Sequence, residues 1–133
     1  MRLLFMAKYS IDKRKAIIKI SAIFSVSSEK RALTMLLDTG ASYTMIPWEA
    51  AEALGLRPEL SNRKANMITA SGIEKVPIVM VDSIACLGKI INNSEVMVHD
   101  LPQRSHVDGL LGLSFLKHFK LTIDFREGWL EIG

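Results

Sequence analysis

Cysteine is all but missing from this chain: Cys86 stands alone among 133 residues, so no internal disulfide framework braces the fold. Histidine is scarce too. Three occur, none at a ligand spacing from Cys86 or from carboxylates, and no metal site is expected. No run of about eighteen apolar residues exists, which excludes a membrane-spanning helix. The opening stretch Met1-Arg2-Leu3-Leu4-Phe5-Met6-Ala7 is broken by Lys8 and is too short an apolar run for a signal peptide. Basic residues lack aromatic company: Lys13-Arg14-Lys15 and Lys30-Arg31 belong to solvated turns, so the formal net charge of +3 does not point to nucleic acid. A cytoplasmic protein without membrane or nucleic-acid partners is the expectation.

What is present suits a globular domain. The composition is 49% hydrophobic and 23% charged, which excludes a disordered chain and leaves apolar surface that a second subunit could cover. Residues 1–133 are expected to form a single domain, large enough to bury its own core. Arg2 to Ile11 is an apolar, β-leaning lead-in. Ile18, Ile20, Ala22, Phe24 and Val26 then alternate with polar neighbours at a period of two, which predicts a half-buried strand. A polar turn at Ser27-Ser28-Glu29-Lys30 leads to a second strand from Ala32 to Leu37. Tyr43 to Ile46 continues extended. Pro47 then starts a short helix that Gly55 ends, with Glu49 at its positive end. Beyond the polar link Arg57–Lys64, Ala65–Thr69 and Ile73–Ile84 predict a hairpin joined at Ala70-Ser71-Gly72, where Gly72 supplies a positive φ. Ile84-Ala85-Cys86-Leu87 and Glu95-Val96-Met97-Val98 are further strands, with turns at Gly88-Lys89 and at Asn92-Asn93. Asp100 to His106 is a loop. Leu113, Phe115, Leu116 and Phe119 fall at helical spacing, and Leu121–Phe125 with Trp129–Ile132 form a closing hairpin.

The chain is organised around Leu36-Leu37-Asp38-Thr39-Gly40-Ala41-Ser42. An apolar strand, Leu33 to Leu37, delivers a carboxylate to the rim of the core, where an isolated buried charge would be costly. Thr39 brings a hydroxyl, and Gly40 lets the chain turn or approach other backbone closely. Taken alone, Asp38 is as good a turn residue as a reactive one. A second signal lies near the other end: Val107-Asp108-Gly109-Leu110-Leu111-Gly112-Leu113, in which an apolar pair closes on Gly112, 74 positions after Asp38.

Together the two elements resemble the retropepsin-like aspartic proteases, over most of the chain from about Lys15 to Ile132. The resemblance implies an all-β fold, a closed acid-protease barrel with one or two short helices. It implies a peptide hydrolase in which Asp38 is the catalytic acid, the Thr39 hydroxyl reaches across to a partner's backbone, and the Gly40 carbonyl faces the substrate. Gly112 would lie where the chain passes beneath the acid loop. The hairpin would be the flap over a bound polypeptide, so Ala41, Ser42, Met67, Ile68, Thr69, Ala70, Ser71 and Gly72 are the candidate substrate-binding residues. Ser42 departs from the retroviral pattern, which usually has Asp there, and is closer to bacterial and cellular relatives. The flap tip departs as well, with Gly72 as its only glycine.

Chemistry adds an inference about assembly. Hydrolysis by carboxylates needs two around one water, one ionised and one protonated, and no metal or cofactor. This chain has one Asp-Thr-Gly. Asp124 has no Thr-Gly after it and is better taken as a solvated or paired strand acid. A homodimer is therefore expected, with one Asp38 from each subunit meeting on a two-fold axis. Two rivals remain. One is a dimeric binding or scaffolding module of the same fold with little proteolysis. The other is a thiol hydrolase using Cys86 and a histidine, although Cys86 lies in an apolar run where an inert buried thiol is expected.

Overall fold

In the computed structural model, which describes residues 6–133, the chain runs mostly as strands. The expectation for Met1–Phe5, including the start of the apolar lead-in, lies outside the described residues. The rest of that lead-in forms β1 (Ala7–Ser10). Next come the hairpin strands β2 (Lys19–Val26) and β3 (Glu29–Leu37), then β4 (Thr44–Ile46) and helix α1 (Trp48–Ala53). A second hairpin has β5 (Lys64–Thr69) and the long β6 (Gly72–Cys86), followed by β7 (Lys89–Val98) and β8 (Gly109–Leu111). Helix α2 (Leu113–Leu116), β9 (Leu121–Asp124) and β10 (Trp129–Ile132) complete the chain.

Six strands close on themselves in the order β2-β3-β8-β4-β7-β6, the ring being completed by pairing of β6 with β2. This is the closed barrel with two short helices that the sequence led us to expect. The alternation in β2 explains how it closes: Ala22 and Phe24 point inward and are fully buried, whereas Ile23 between them faces out. Leu33 and Met35 of β3, Ile84 of β6, and Val96 and Val98 of β7 meet them in one core. Burying side chains of this size contributes roughly 1.5–3 kcal/mol each. Ala50, Ala51 and Leu54 of the α1 region join the same core. The helix starts where expected, with Pro47 extended at φ −74° as its N-cap, and Gly55 at φ 83° follows its end. Outside the barrel, β1 pairs with β10 and β10 with β9 in a small antiparallel sheet.

Three local expectations are corrected. Asn92-Asn93 is not a turn: both residues lie within β7, and Asn93 takes φ 53° there, a left-handed conformation that Asn tolerates better than most residues. The connection falls at Leu87-Gly88 rather than Gly88-Lys89. Both residues have positive φ, 53° and 72°, as a type I′ turn requires, and Cys86 and Lys89 pair across it. Consequently β6 runs unbroken for 15 residues where two strands were expected. The predicted helix from Leu113 to Phe119 stops at Leu116, and Leu113, its first residue, is exposed. The chain turns so that Phe119 packs on Phe115, ring centroids 5.1 Å apart, and that contact replaces the last helical turn. Asp124 is a turn-capping acid, its Oδ1 accepting the Glu127 N–H at 2.9 Å.

Candidate active site

Strands β3 and β4 are consecutive in sequence but not neighbours in the barrel, because β8 lies between them. It runs parallel to β3, with Leu36 opposite Leu110 and Leu37 opposite Leu111, and antiparallel to β4, with Met45 opposite Leu110. The connection from Asp38 to Tyr43 must therefore cross the end of β8, and it does so directly over Gly112. A Cβ on Gly112 would sit 2.5 Å from the Tyr43 carbonyl oxygen and 2.6 Å from that of Ala41. Its φ of −104° is open to any residue, so the requirement for glycine is one of space. Around this crossing the Asp38 N–H donates to the Leu111 carbonyl at 3.0 Å, Leu113 N–H to Ala41 at 2.8 Å, and Ser114 N–H to Ser42 at 3.0 Å. The 74-residue spacing of the two motifs thus becomes a contact between them.

Asp38 is half-buried at this crossing. Its Oδ1 accepts the Gly40 N–H at 2.9 Å, and its carbonyl accepts the Ala41 N–H at 3.2 Å. The loop's own backbone thus orients the carboxyl group, while Oδ2 takes no hydrogen bond among the described residues. Thr39 and Gly40 are exposed, and the Thr39 hydroxyl makes no hydrogen bond among the described residues.

Beside the loop opens a cavity of about 630 Å³, walled by Gly40, Ala41 and Ser42 on one side and by Met67 and Ile68 of β5 on another. Asp38 and Thr39 adjoin this cavity in the same loop without lining it. Thr69, Ala70, Ser71 and Gly72 lie beyond it, at the tip of the β5–β6 hairpin. There Ile68 and Ile73 stand opposite one another, 86% and 71% exposed. The tip is tied rather than loose: Thr69 Oγ1 accepts the Ser71 N–H at 3.2 Å and donates to the Gly72 carbonyl at 3.1 Å, with Gly72 at φ 119°.

Sequence reasoning missed more than half of the wall. Tyr43, Met45, Met97 and Leu110 line it, as does the run His99-Asp100-Leu101-Pro102. One signal was available. Alternation along β7 puts Val96 and Val98 inward, so Met97 must face the other way, an apolar residue on an outer face. Nothing in the sequence says that the following loop folds back to the mouth. It is held there by Asp100, whose Oδ1 accepts the Trp48 N–H at 3.0 Å at the start of α1.

Cys86 is far from this chemistry in character. It is buried on the inner face of β6, and burial pushes its thiol up to about 12. Among the described residues no group of three or more His, Cys, Asp or Glu side chains could hold a metal ion, and no helix is long and apolar enough to cross a membrane.

Residues 24–118 match the family described as "gag-polyprotein putative aspartyl protease". Among solved structures, a retropepsin-like aspartic protease from Rickettsia conorii superposes with a TM-score of 0.72 at 26% identity, covering 96% of this chain and 89% of that one. No curated protein sequence matches the chain significantly.

Proposed function

The chain belongs to the retropepsin-like aspartic proteases, and from that premise we propose that it is an endopeptidase working as a homodimer. The observation that carries this reading is Asp38 itself. It is the single Asp-Thr-Gly acid of the chain, half-buried at the Gly112 crossing with one oxygen bonded to its own loop and the other taking no hydrogen bond among the described residues. One carboxylate cannot both take a proton from water and protonate a carbonyl oxygen at the same time. A second copy of the same loop supplies the missing group, and the two acids then share one proton because like charges a few ångströms apart do not both ionise cheaply. The ionised member activates the water; the protonated member polarises the scissile carbonyl.

In this reading residues 1–133 act as one domain, and the exposed Thr39 hydroxyl bonds the partner's backbone. Gly40 presents its carbonyl to the substrate, and Ala41, Ser42, Met67 and Ile68 contact substrate side chains. Thr69 to Gly72 close over the peptide, which binds as an extended strand. The rate should be highest where the pair holds one proton, at mildly acidic pH. A flat rate between about pH 4 and 9 would contradict a shared proton.

The experiment is a subunit-mixing titration against a peptide library. Asp38→Asn alone should cut nothing, and added to wild type it should lower activity through heterodimers carrying a single acid. Equal cleavage by Asp38→Asn, or undiminished activity of a strictly monomeric preparation, would refute the proposal. One observation favours a binding module of the same fold: the hairpin tip is pinned by Thr69, which suits a fixed groove better than a lid.

A further inference from the structure

Thr44, the first residue of β4, is entirely enclosed, and with Ser94 it makes up the buried polar side chains among the described residues. A hydroxyl in such a place is destabilising unless it is bonded. Its Oγ1 accepts the Gly112 N–H at 3.2 Å and lies 3.1 Å from Ser114 Oγ, which in turn accepts the Thr44 N–H at 2.9 Å. The reason for these bonds is topological. Strands β4 and β8 share one register pair, Met45 with Leu110, before they diverge. Beyond it the Gly112 N–H donates to the Thr44 hydroxyl and the Thr44 N–H to the Ser114 hydroxyl, so side-chain oxygens take these two amides where the paired ladder ends.

We propose that Thr44 and Ser114 are positioning residues whose interlocked hydroxyls set the height of the acid loop over Gly112, and thereby where Asp38 meets its counterpart. The pair acts on the segment whose other amides, Leu113 and Ser114, already hold the Ala41 and Ser42 carbonyls. The far end of the acid loop is thus tied to residues 112–114 by side chains as well as by backbone. Neither hydroxyl contacts the cavity beside the loop, so the role is exerted through Asp38 and not through substrate. This inference rests on the endopeptidase reading for its catalytic consequence, though not for the clamp itself.

The test uses the full chain with Thr44→Val, Thr44→Ser, Ser114→Ala and the Thr44→Val/Ser114→Ala double variant. Thr44→Val keeps the shape and removes the hydroxyl. It and Ser114→Ala should each lower kcat by about 10- to 100-fold with KM changed less than about three-fold, since misplacing a reacting group by a fraction of an ångström acts on turnover. Thr44→Ser, which retains the oxygen, should restore most of kcat. The double variant should be no worse than the poorer single one, because the two hydroxyls act as a unit. An unchanged kcat in Thr44→Val, equal losses in Thr44→Ser and Thr44→Val, or losses that multiply in the double variant would overturn the proposal. If wild type cuts no peptide, the endopeptidase reading fails and amide exchange decides on the clamp. Faster exchange confined to Ala41, Thr44 and Gly112 supports it; unchanged or uniformly faster exchange refutes it.

Discussion

Replacing Gly112 by alanine adds one methyl group where the acid loop crosses β8. That methyl would lie 2.5 Å from the Tyr43 carbonyl oxygen, 2.6 Å from the Ala41 oxygen and 2.8 Å from the Tyr43 carbonyl carbon. All three are backbone atoms, so no side chain can swing away to relieve the clash. Ordinary contact needs about 3.5 Å, so the loop must rise by about 1 Å. The backbone of Gly112, at φ −104°, suits alanine, and the effect therefore isolates loop height from local strain. Overpacking of this kind costs about 1–3 kcal/mol, which a domain of this size can absorb while staying folded. If the chain is the proposed endopeptidase, a displacement of about 1 Å at the Asp38 carboxyl is expected to lower kcat/KM by about a hundred-fold. The assay is cleavage of a fluorogenic peptide, with thermal unfolding and sedimentation in parallel. Gly55→Ala is the control: it meets nothing within 4 Å, lies at φ 83°, and should lose a little stability but no activity. Wild-type turnover by a folded, dimeric Gly112→Ala would refute the claim that this crossing sets the position of Asp38.

Other expectations follow from the same geometry. Ile68→Ser combined with Ile73→Ser removes two exposed side chains at the hairpin tip, so stability should change by less than about 0.5 kcal/mol. KM should nevertheless rise several-fold, and an unchanged KM would make β5–β6 an ordinary hairpin. Cys86 should resist thiol reagents at neutral pH in the folded chain and react only on unfolding, and Cys86→Ala should keep its activity; loss of activity there would revive the thiol-hydrolase alternative. Burial pushes the Cys86 thiol up to about 12 from an ordinary 9.0, so above pH 9.0 the unfolded chain loses a proton that the folded one keeps. Its contribution to stability should therefore fall as pH rises from 9.0 toward 12, and the difference between wild type and Cys86→Ala in urea titrations at successive pH values measures it. Phe115→Ala, which empties a fully buried position below the acid loop's anchoring segment, should cost about 3–5 kcal/mol, read from the same titrations.

Much of this protein is legible one residue at a time. Alternation in Ile18–Val26 depends on a period of two that any half-buried strand must show, and β2 follows it. Pro47 and Gly55 bracket α1 because one presets φ and the other accepts a positive φ. The acid motif and its solitary occurrence are likewise properties of the string of residues, and so is the inference that a second copy must complete the chemistry. Leu87-Gly88 was misplaced by one residue because leucine gives no hint that it takes φ 53°. Asn92-Asn93 misled because a residue that tolerates the left-handed region marks a bend inside a strand as readily as a turn.

The partners of each strand were a different matter. A period of two says which face of a strand is buried but not which strand lies beside it, since that depends on contacts between residues far apart in the chain. Only the folded barrel inserts β8 between β3 and β4, and only that insertion explains why position 112 has no room for a Cβ. Likewise the run from His99 to Pro102 has no periodicity of its own; it walls the cavity because Asp100 is tied to α1, a bond across 52 positions that no local pattern encodes.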